Sequence, residues 1–305
     1  MMNRENHRLA DLSLLFVAVV WGSSYLATKI VLADVAVFTF LFLRFLLTSL
    51  VMVALTWRKL VKATKQTWLS GIIFGLFLSG IFISETWGIH FTSAANAGFL
   101  ISLFVVFTPL IESAVFRTRL RAGIFGTVLL SVFGTFLLTM KGGYQFNTGD
   151  ALILIAALLR AIQMSVTQKL TEGRVMDSGA LTTIQLGVVA VIMGIFSLPS
   201  GRLPDSAVLS LPFWLLTAYL AFFCTLLAFY IQLIMIRRTS STRVGLLTGT
   251  EPLFSALFSV WLGGERLSPQ EWLGGLLIVA ATYFGRHMEA KNRMGKTTAA
   301  AVKDV

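Results

Sequence analysis

The sequence predicts an all-α polytopic membrane protein with ten transmembrane helices, arranged as two inverted repeats of five. Composition is the first observation behind this prediction: 56% of the 305 residues are hydrophobic and 13% are charged. So few polar groups cannot cover a water-soluble globule of this size, which indicates that the solvent is lipid. The other two observations are the placement of the basic residues and an internal repeat.

The apolar residues form long runs separated by short connections. A bilayer core of about 30 Å requires about 20 apolar residues per helix. Ten segments qualify as spans: 12–30, 35–57, 67–88, 91–116, 121–140, 149–170, 177–198, 211–236, 243–263 and 270–286. Apolar residues surround each predicted helix and do not alternate with a period of two, which favours helices over a β-barrel.

Basic residues occupy every second gap between these spans. Nineteen of the 25 lysines and arginines fall in one set of gaps, whereas the other set holds only Lys29, Lys141, Arg202 and Arg266. The positive-inside rule then places the basic side, and with it both termini, in the cytoplasm. Anchoring at anionic lipid explains the net charge of +11, and we expect no nucleic-acid partner.

The chain contains an internal repeat. Residues 11–21 match residues 150–160, and residues 92–98 match residues 239–245. Because each copy holds five spans, an odd number, the second copy enters the membrane from the opposite side. An inverted repeat of this kind is the plan from which alternating-access transporters are built.

Four segments follow from the repeat. They are a cytoplasmic N-terminal tail at 1–11, the five-helix repeats at 12–141 and 149–287, and a basic cytoplasmic tail at 288–305 that we expect to be disordered. Pro109 and Pro252 align only if about one helical turn is inserted in the first copy, so the repeat is expected to be degenerate there.

Several short motifs occur in a fixed order along the chain. They are Trp21-Gly22-Ser23-Ser24-Tyr25, Arg44-Phe45, the stretch 92–100, Pro109-Leu110, Gly149-Asp150, Glu251-Pro252-Leu253 and Gly264-Glu265-Arg266-Leu267-Ser268. In this order and spacing the chain resembles the EamA-type transporters of the drug/metabolite transporter superfamily. The resemblance implies ten spans and a central solute cavity lined by spans one to four and six to nine.

The sequence departs from the family pattern in two places. Arg160 stands where members of the family often carry an aromatic residue, at the repeat counterpart of Trp21. In the first copy, Arg117-Thr118-Arg119 replaces the Gly-Glu-Arg of the second. The acidic signature is therefore present only in the second copy.

Arg160 is the most conspicuous candidate for solute binding. It lies roughly 16 Å into its span, near the bilayer midplane, where an ion faces protein or water. Gln163 shares its helix face and is a second candidate. Two interpretations stay open: Arg160 anchors an anionic group such as a solute carboxylate, or it pairs permanently with Glu251.

Glu251 is the candidate coupling residue. It lies roughly 12 Å inside span nine and precedes Pro252, which removes a helix hydrogen bond and exposes carbonyl groups. Glu251 either takes up and releases a proton during transport or forms a structural ion pair. Glu85 and Glu112 lie near span ends, where we expect solvent or basic neighbours to satisfy them.

The remaining candidates for solute contact are aromatic and polar side chains within the spans. Trp21 and Tyr25 share one stripe of span one, which is flanked by Ser24 and leads to Lys29. Arg44 either contacts solute or ties span two to carbonyl groups or a carboxylate. The list is completed by Asn96, Gln185 and Tyr230.

We therefore expect a secondary, ATP-independent transporter of the inner membrane, with the lipid bilayer and a small solute as its partners. Its expected action is export of small amphipathic metabolites, such as amino acids or related organic acids. Proton-coupled efflux of cationic drugs is the alternative, and a membrane sensor or scaffold is an alternative of another class. No enzyme motif or metal-binding spacing is found, so we expect no cofactor; a homodimer is left open.

Overall fold

The computed structural model describes residues 4–117, 122–139, 146–198 and 210–264, and residues 268–288 with gaps at 271, 279, 282 and 286–287. Within these ranges the chain is helical and contains no strand, which confirms the all-α class. The tail beyond residue 288 and the signature residues 265–267 lie outside the described residues.

Six helices form the first half of the chain: α1 (Arg4–Val31), α2 (Val37–Val61), α3 (Lys65–Phe91), α4 (Ala94–Ile101), α5 (Phe104–Phe116) and α6 (Ala122–Thr139). Six more belong to the second half: α7 (Thr148–Thr171), α8 (Ser178–Ser197), α9 (Leu211–Tyr219), α10 (Ala228–Arg238), α11 (Ser241–Thr248) and α12 (Glu251–Trp261). A π-helix, Leu220–Leu227, joins α9 to α10. A further apolar helical stretch covers Trp272–Gly285.

Seven of the ten predicted spans coincide with helical segments that are long and apolar enough to cross a bilayer. They are Leu9–Val31, Val37–Val61, Lys65–Phe91, Asn96–Phe116, Thr148–Thr171, Ser178–Ser197 and Leu211–Arg238. Shorter apolar stretches, Phe125–Gly134 and Trp272–Gly285, fall within the predicted fifth and tenth spans. The described residues therefore support a multi-pass membrane protein.

The first helix is longer than its predicted span. Residues 4–11, expected to form a tail, are helical from Arg4. Apolarity marks only the part of a helix that lies in lipid. Residues 4–11 contain no proline or glycine, so nothing in this segment prevents the helix from starting before its apolar part. Its hydrophilic turns therefore continue α1 beyond the apolar segment.

Side-chain caps fix where several helices begin. Ser93 accepts a hydrogen bond from the backbone N–H of Asn96, and Ser240 accepts one from Arg243, each at 3.1 Å. Asn147 and Asp150 form a reciprocal capping box at the start of α7. Such caps satisfy backbone donors that have no partner within the helix, which matters most where water is scarce.

The predicted fourth and ninth spans are each interrupted. The break in the fourth lies between Ile101 and Phe104, and the break in the ninth lies between Thr248 and Glu251. The two breaks occupy the same register of the repeat, so no inserted turn is needed to align them. The prolines are not equivalent, because Pro252 lies in the first turn of α12, where its missing N–H costs nothing, whereas Pro109 lies inside α5.

The two halves pack against each other along most of their length. Helix α3 contacts α7 and α8, α2 contacts α8, α1 contacts α12, and α5 contacts α7. Close approach depends on glycine: a Cβ at Gly75 of α3 would lie 2.6 Å from the Cβ of Val188 in α8. The core of the molecule is therefore the interface between the halves, and the candidate site lies within it.

Candidate functional site

A small cavity lies at the centre of this interface. Its volume is about 20 Å³, room for about one water molecule. Helices of both halves line it, with apolar walls from Ile81, Phe82, Ile89 and Phe229. Its other lining residues are Trp21, Ser24, Thr28, Arg44, Glu85, Thr86, Arg160, Gln163 and Glu251.

Arg160 and Glu251 form a buried ion pair in this cavity. One terminal guanidinium nitrogen of Arg160 lies 3.0 Å from Oε2 of Glu251, and the two side chains are 7% and 2% exposed. The hydroxyl of Tyr25 donates a hydrogen bond to the other carboxylate oxygen, Oε1. Both carboxylate oxygens therefore have a donor, as a buried charge requires.

Two aromatic rings hold the Arg160 guanidinium from either side. Its central carbon lies 4.2 Å from the ring centroid of Trp21 and 4.3 Å from that of Phe104. These distances allow cation–π attraction, which strengthens when the groups are desolvated. Trp21 is itself fixed, because its indole N–H donates to the carbonyl oxygen of Cys224 at 2.8 Å.

Arg44 lines the same cavity, and a residue of the π-helix binds its side chain. Its Nε donates to the hydroxyl of Thr225 at 2.8 Å, and that hydroxyl donates to the Leu220 carbonyl oxygen at 2.8 Å. The ring of Phe82 lies 5.1 Å from the guanidinium. The terminal guanidinium nitrogens of Arg44 have no acceptor among the described residues. These donors remain available to a ligand in the cavity.

Glu85 is the residue that the sequence reasoning missed. We expected solvent or basic neighbours to satisfy it at a span end, but this half-buried residue of α3 lines the central cavity. Its carboxylate makes no hydrogen bond or ion pair with the described residues. Helical spacing contained the missing signal, because Ile81, Glu85 and Ile89 are four residues apart and share one face of α3.

Most of the predicted site residues converge on the cavity. Trp21, Ser24, Arg44, Arg160, Gln163 and Glu251 line it, and Tyr25 adjoins it through Glu251. Three others lie elsewhere. Asn96 lies in the first turn of α4, and Tyr230 lines a second cavity. Gln185 lies on α8, where its backbone carbonyl oxygen packs against Gly75.

The second cavity is larger, about 610 Å³, and includes Tyr230, Arg174 and Arg237. It is lined by the end of α7, the α7–α8 connection and α10, so all its walls come from the second half of the chain. A solute site that exchanges access between two repeats is expected at the interface between them. The smaller central cavity meets that condition, and the larger one does not.

Two charged residues near helix ends bind polar groups at the ends of neighbouring helices. Glu112 accepts hydrogen bonds from the Ser241 hydroxyl at 2.8 Å and the Thr242 backbone N–H at 2.9 Å, and so caps α11. The Nζ of Lys29 donates to the carbonyl oxygens of Ile89 at 2.8 Å and Thr92 at 2.6 Å, which closes the end of α3. Neither residue lines the cavity.

Two aspartates make related contacts across the halves. Asp150, near the start of α7, accepts a hydrogen bond from the Thr92 hydroxyl at 2.8 Å. Asp11, which occupies the matching position in α1, forms an ion pair of 2.7 Å with Arg243. Asp150 of the second half thus binds a residue just before the interrupted fourth span. Asp11 of the first half binds a residue in the first part of the interrupted ninth span.

Comparison with known proteins identifies the family. The sequence profile of the EamA-like transporter family matches this chain twice, over residues 8–140 and 147–285. The chain belongs to the EamA-like transporter family. The two matches together cover most of this EamA-like transporter, with one match in each half of the chain.

Similar proteins occur in archaea and bacteria. Two proteins of Archaeoglobus fulgidus, each named an uncharacterized transporter, are 29% and 28% identical to this chain. The alignments cover 89% and 92% of this EamA-like transporter, and 84% and 97% of the relatives. The inner membrane transporter YedA of Escherichia coli K12, also named as uncharacterized, is 26% identical over 86% of each chain.

A solved crystal structure shares the fold. It is 20% identical in sequence, superposes with a TM-score of 0.73, and the match covers 93% of this chain and 98% of that one. Family membership and the names of the relatives indicate a membrane transporter and not an enzyme.

Proposed function

We propose that this protein is a secondary transporter of the inner membrane that exports small amphipathic metabolites, such as amino acids or related organic acids, by alternating access. The observation that carries this proposal is the central cavity between the halves, with Arg44, Arg160, Glu85 and Glu251 on its walls. Charged groups at membrane depth are expensive to bury, so they usually serve a solute or ion pathway.

The proposed architecture is ten spans in two inverted repeats, at 12–141 and 149–287, with both termini in the cytoplasm. Two matches of one family profile support the duplication. The packing supports a twofold relation between the halves, because contacts occur in related pairs: α1 with α12 and α7 with α5, then α3 with α7 and α10 with α1. The proposed odd number of spans in each half then gives the two copies opposite directions in the membrane. Exchange of two such packings gives access from either side of the membrane.

The size of the cavity bears on the transport cycle. A volume of about 20 Å³ holds about one water molecule and is too small for any amino acid. We interpret this arrangement as an occluded conformation. Binding then requires the halves to separate, and the cross-half contacts of Asp11 and Asp150 are candidates for contacts that break.

Transport by the purified protein tests the proposal. Proteoliposomes would be offered labelled amino acids, organic acids and lipophilic cations, with and without a pH gradient, and protein-free liposomes would set the passive leak. We expect saturable movement of amino acids or organic acids. If no solute of any class moves above the leak although the protein is folded and inserted, the transporter proposal is wrong and a sensor or scaffold gains support.

Proton-coupled efflux of cationic compounds is the second candidate function. The observation that favours it is the presence of two carboxylates, Glu85 and Glu251, in one cavity. Against it, Glu251 already receives donors from Arg160 and Tyr25. This candidate predicts that gradient-driven movement of lipophilic cations is lost in Glu251→Gln, whereas the metabolite proposal predicts movement of amino acids or organic acids by the wild type.

A further inference from the structure

We infer that the central cavity binds a zwitterion, with Glu85 taking the ammonium group of an α-amino acid and Arg44 taking its carboxylate. This inference rests on the proposed function and narrows its substrate class from amphipathic metabolites to free amino acids. It also gives a solute-binding role to Glu85, which we expected from the sequence to be satisfied by solvent or basic neighbours.

Arg44 has the properties of a carboxylate anchor. It is 4% exposed, and Thr225 engages its Nε, so the direction of the guanidinium is fixed. Arg44 lines the cavity, and its terminal nitrogens have no acceptor among the described residues. A guanidinium with a fixed fork and unused donors is suited to bidentate binding of a carboxylate.

Glu85 supplies the complementary charge. It lines the same cavity as Arg44, and the two side chains do not form an ion pair. Half-burial removes part of the water that would otherwise solvate the carboxylate. A ligand that carries an ammonium group would supply the hydrogen bonds that the Glu85 carboxylate lacks among the described residues.

The charge balance of the cavity selects a zwitterion over a simple ion. Arg160 and Glu251 neutralise each other in their ion pair. The two remaining groups, Arg44 and Glu85, also sum to zero. An organic anion at Arg44 would be repelled by Glu85, and an amine at Glu85 would be repelled by Arg44. A solute with both charges satisfies both residues at once.

The cavity walls suit the rest of an amino acid. Ile81 and Phe82 of α3 and Phe229 of α10 are apolar residues that line the same cavity as the charged groups. A site with a few fixed polar groups and otherwise apolar walls is the usual arrangement for a small-molecule ligand. We therefore expect a preference for amino acids with apolar side chains.

Ligand-induced thermal stabilisation of the purified full-length protein tests this inference. Each of the standard L-amino acids would be added, and the strongest stabiliser would be compared with its analogue lacking the ammonium group and its analogue lacking the carboxylate. Binding to the folded state raises the Tm, so we expect stabilisation by the amino acid and little by either analogue. Stabilisation by the deaminated analogue equal to that by the amino acid would overturn the inference.

Matched variants identify the residue. Glu85→Gln should lower the affinity for the amino acid about ten- to a hundredfold, because the amide oxygen still accepts a hydrogen bond but no longer carries the charge that strengthens it. The affinity for the deaminated analogue should be unchanged or higher. Glu172→Gln, an exposed change of the same chemistry at the end of α7, should bind as the wild type does. Unchanged affinity in a folded Glu85→Gln protein would overturn the role of Glu85.

The comparison of analogues uses the wild-type protein and therefore decides the substrate class even if Glu85→Gln does not fold. The outcomes also separate the inference from the proposed function. If the wild type transports organic acids but neither binds nor moves amino acids, the zwitterion inference is wrong and the transporter proposal stands. If no solute of any class binds or moves, both are wrong.

Discussion

The guanidinium of Arg160 lies 4.2 Å from the ring centroid of Trp21, and these residues occupy equivalent positions in the two repeats. The proposed pseudo-twofold axis of the repeats therefore passes close to this contact. In the proposed second copy an arginine stands where the first copy has Trp21, and the ring of Trp21 lies against its guanidinium.

The ion pair between Arg160 and Glu251 should dominate the energetics of the centre. We expect Arg160→Met and Glu251→Gln each to lower the free energy of unfolding by about 3–5 kcal/mol, because each leaves a buried charge without its partner. The double variant should cost less than the sum of the single changes by roughly 1–3 kcal/mol. Denaturation of all four proteins in one detergent measures this coupling, and additive costs would contradict a direct pair.

Tyr25 should stabilise Glu251 through its hydroxyl alone. Tyr25 is fully buried, and Tyr25→Phe keeps the ring while it removes the donor to Oε1 of Glu251. We expect a loss of about 1.5–3 kcal/mol, the range for a hydrogen bond to a charged group. The same substitution in a Glu251→Gln background should cost less. An equal cost in both backgrounds would show that the hydroxyl acts elsewhere.

Gly22 should be required for the close packing of α1 against α12. A Cβ there would lie 2.6 Å from the Cβ of Phe254 and 2.8 Å from the carbonyl oxygen of Glu251. We expect Gly22→Ala to destabilise the protein by about 1–3 kcal/mol through overpacking and to reduce transport, because the shift occurs beside the ion pair.

Gly187 provides the matched control. It lies inside α8, and a Cβ there would meet no atom within 4 Å. Gly187→Ala should therefore leave stability unchanged or raise it by up to about 1 kcal/mol, since alanine favours the helix. Thermal denaturation of both variants checks the prediction, and destabilisation of similar size in each would point to a general effect of alanine.

Asp150 should hold the start of α7 and the end of α3 together. Asp150→Ala removes its bond to the backbone N–H of Asn147 and its bond from the Thr92 hydroxyl. We expect a loss of about 1–2 kcal/mol, typical of a lost helix-start cap. Asp34→Ala, in an exposed turn after α1, is the control and should have little effect on the Tm. Equal Tm values for the two variants would contradict the assigned contacts.

Local sequence patterns predicted most of the helices but not their interruptions. Continuous apolarity predicts a single helix over residues 91–116 and another over 243–263. In the structure each helix is interrupted, the first between Ile101 and Phe104 and the second between Thr248 and Glu251. Hydropathy reports how favourably a residue lies in lipid or protein and carries no information on backbone direction. Proline was a partial guide, since Pro252 lies beside a break and Pro109 does not.

The sequence predicted only part of the candidate site. Rarity within an apolar run identified Arg160 and Glu251, because a charge at membrane depth stands out in sequence. Glu85 did not stand out, since it lies six residues before the end of α3. Asn96, Gln185 and Tyr230 are polar or aromatic like the residues of the cavity, but none of them lines it, and polarity alone does not tell the two groups apart.

The sequence by itself determined that the protein is helical, that it lies in a membrane and that it belongs to a transporter family, because composition, periodicity and motif order are properties of the chain. Only the tertiary structure decided which polar groups face one another. Positions 44, 85, 160 and 251 come from four different helices, and their pairing depends on how the two halves pack. Partnership between distant residues is set by that packing, so Glu251 has two donors and Glu85 has none among the described residues.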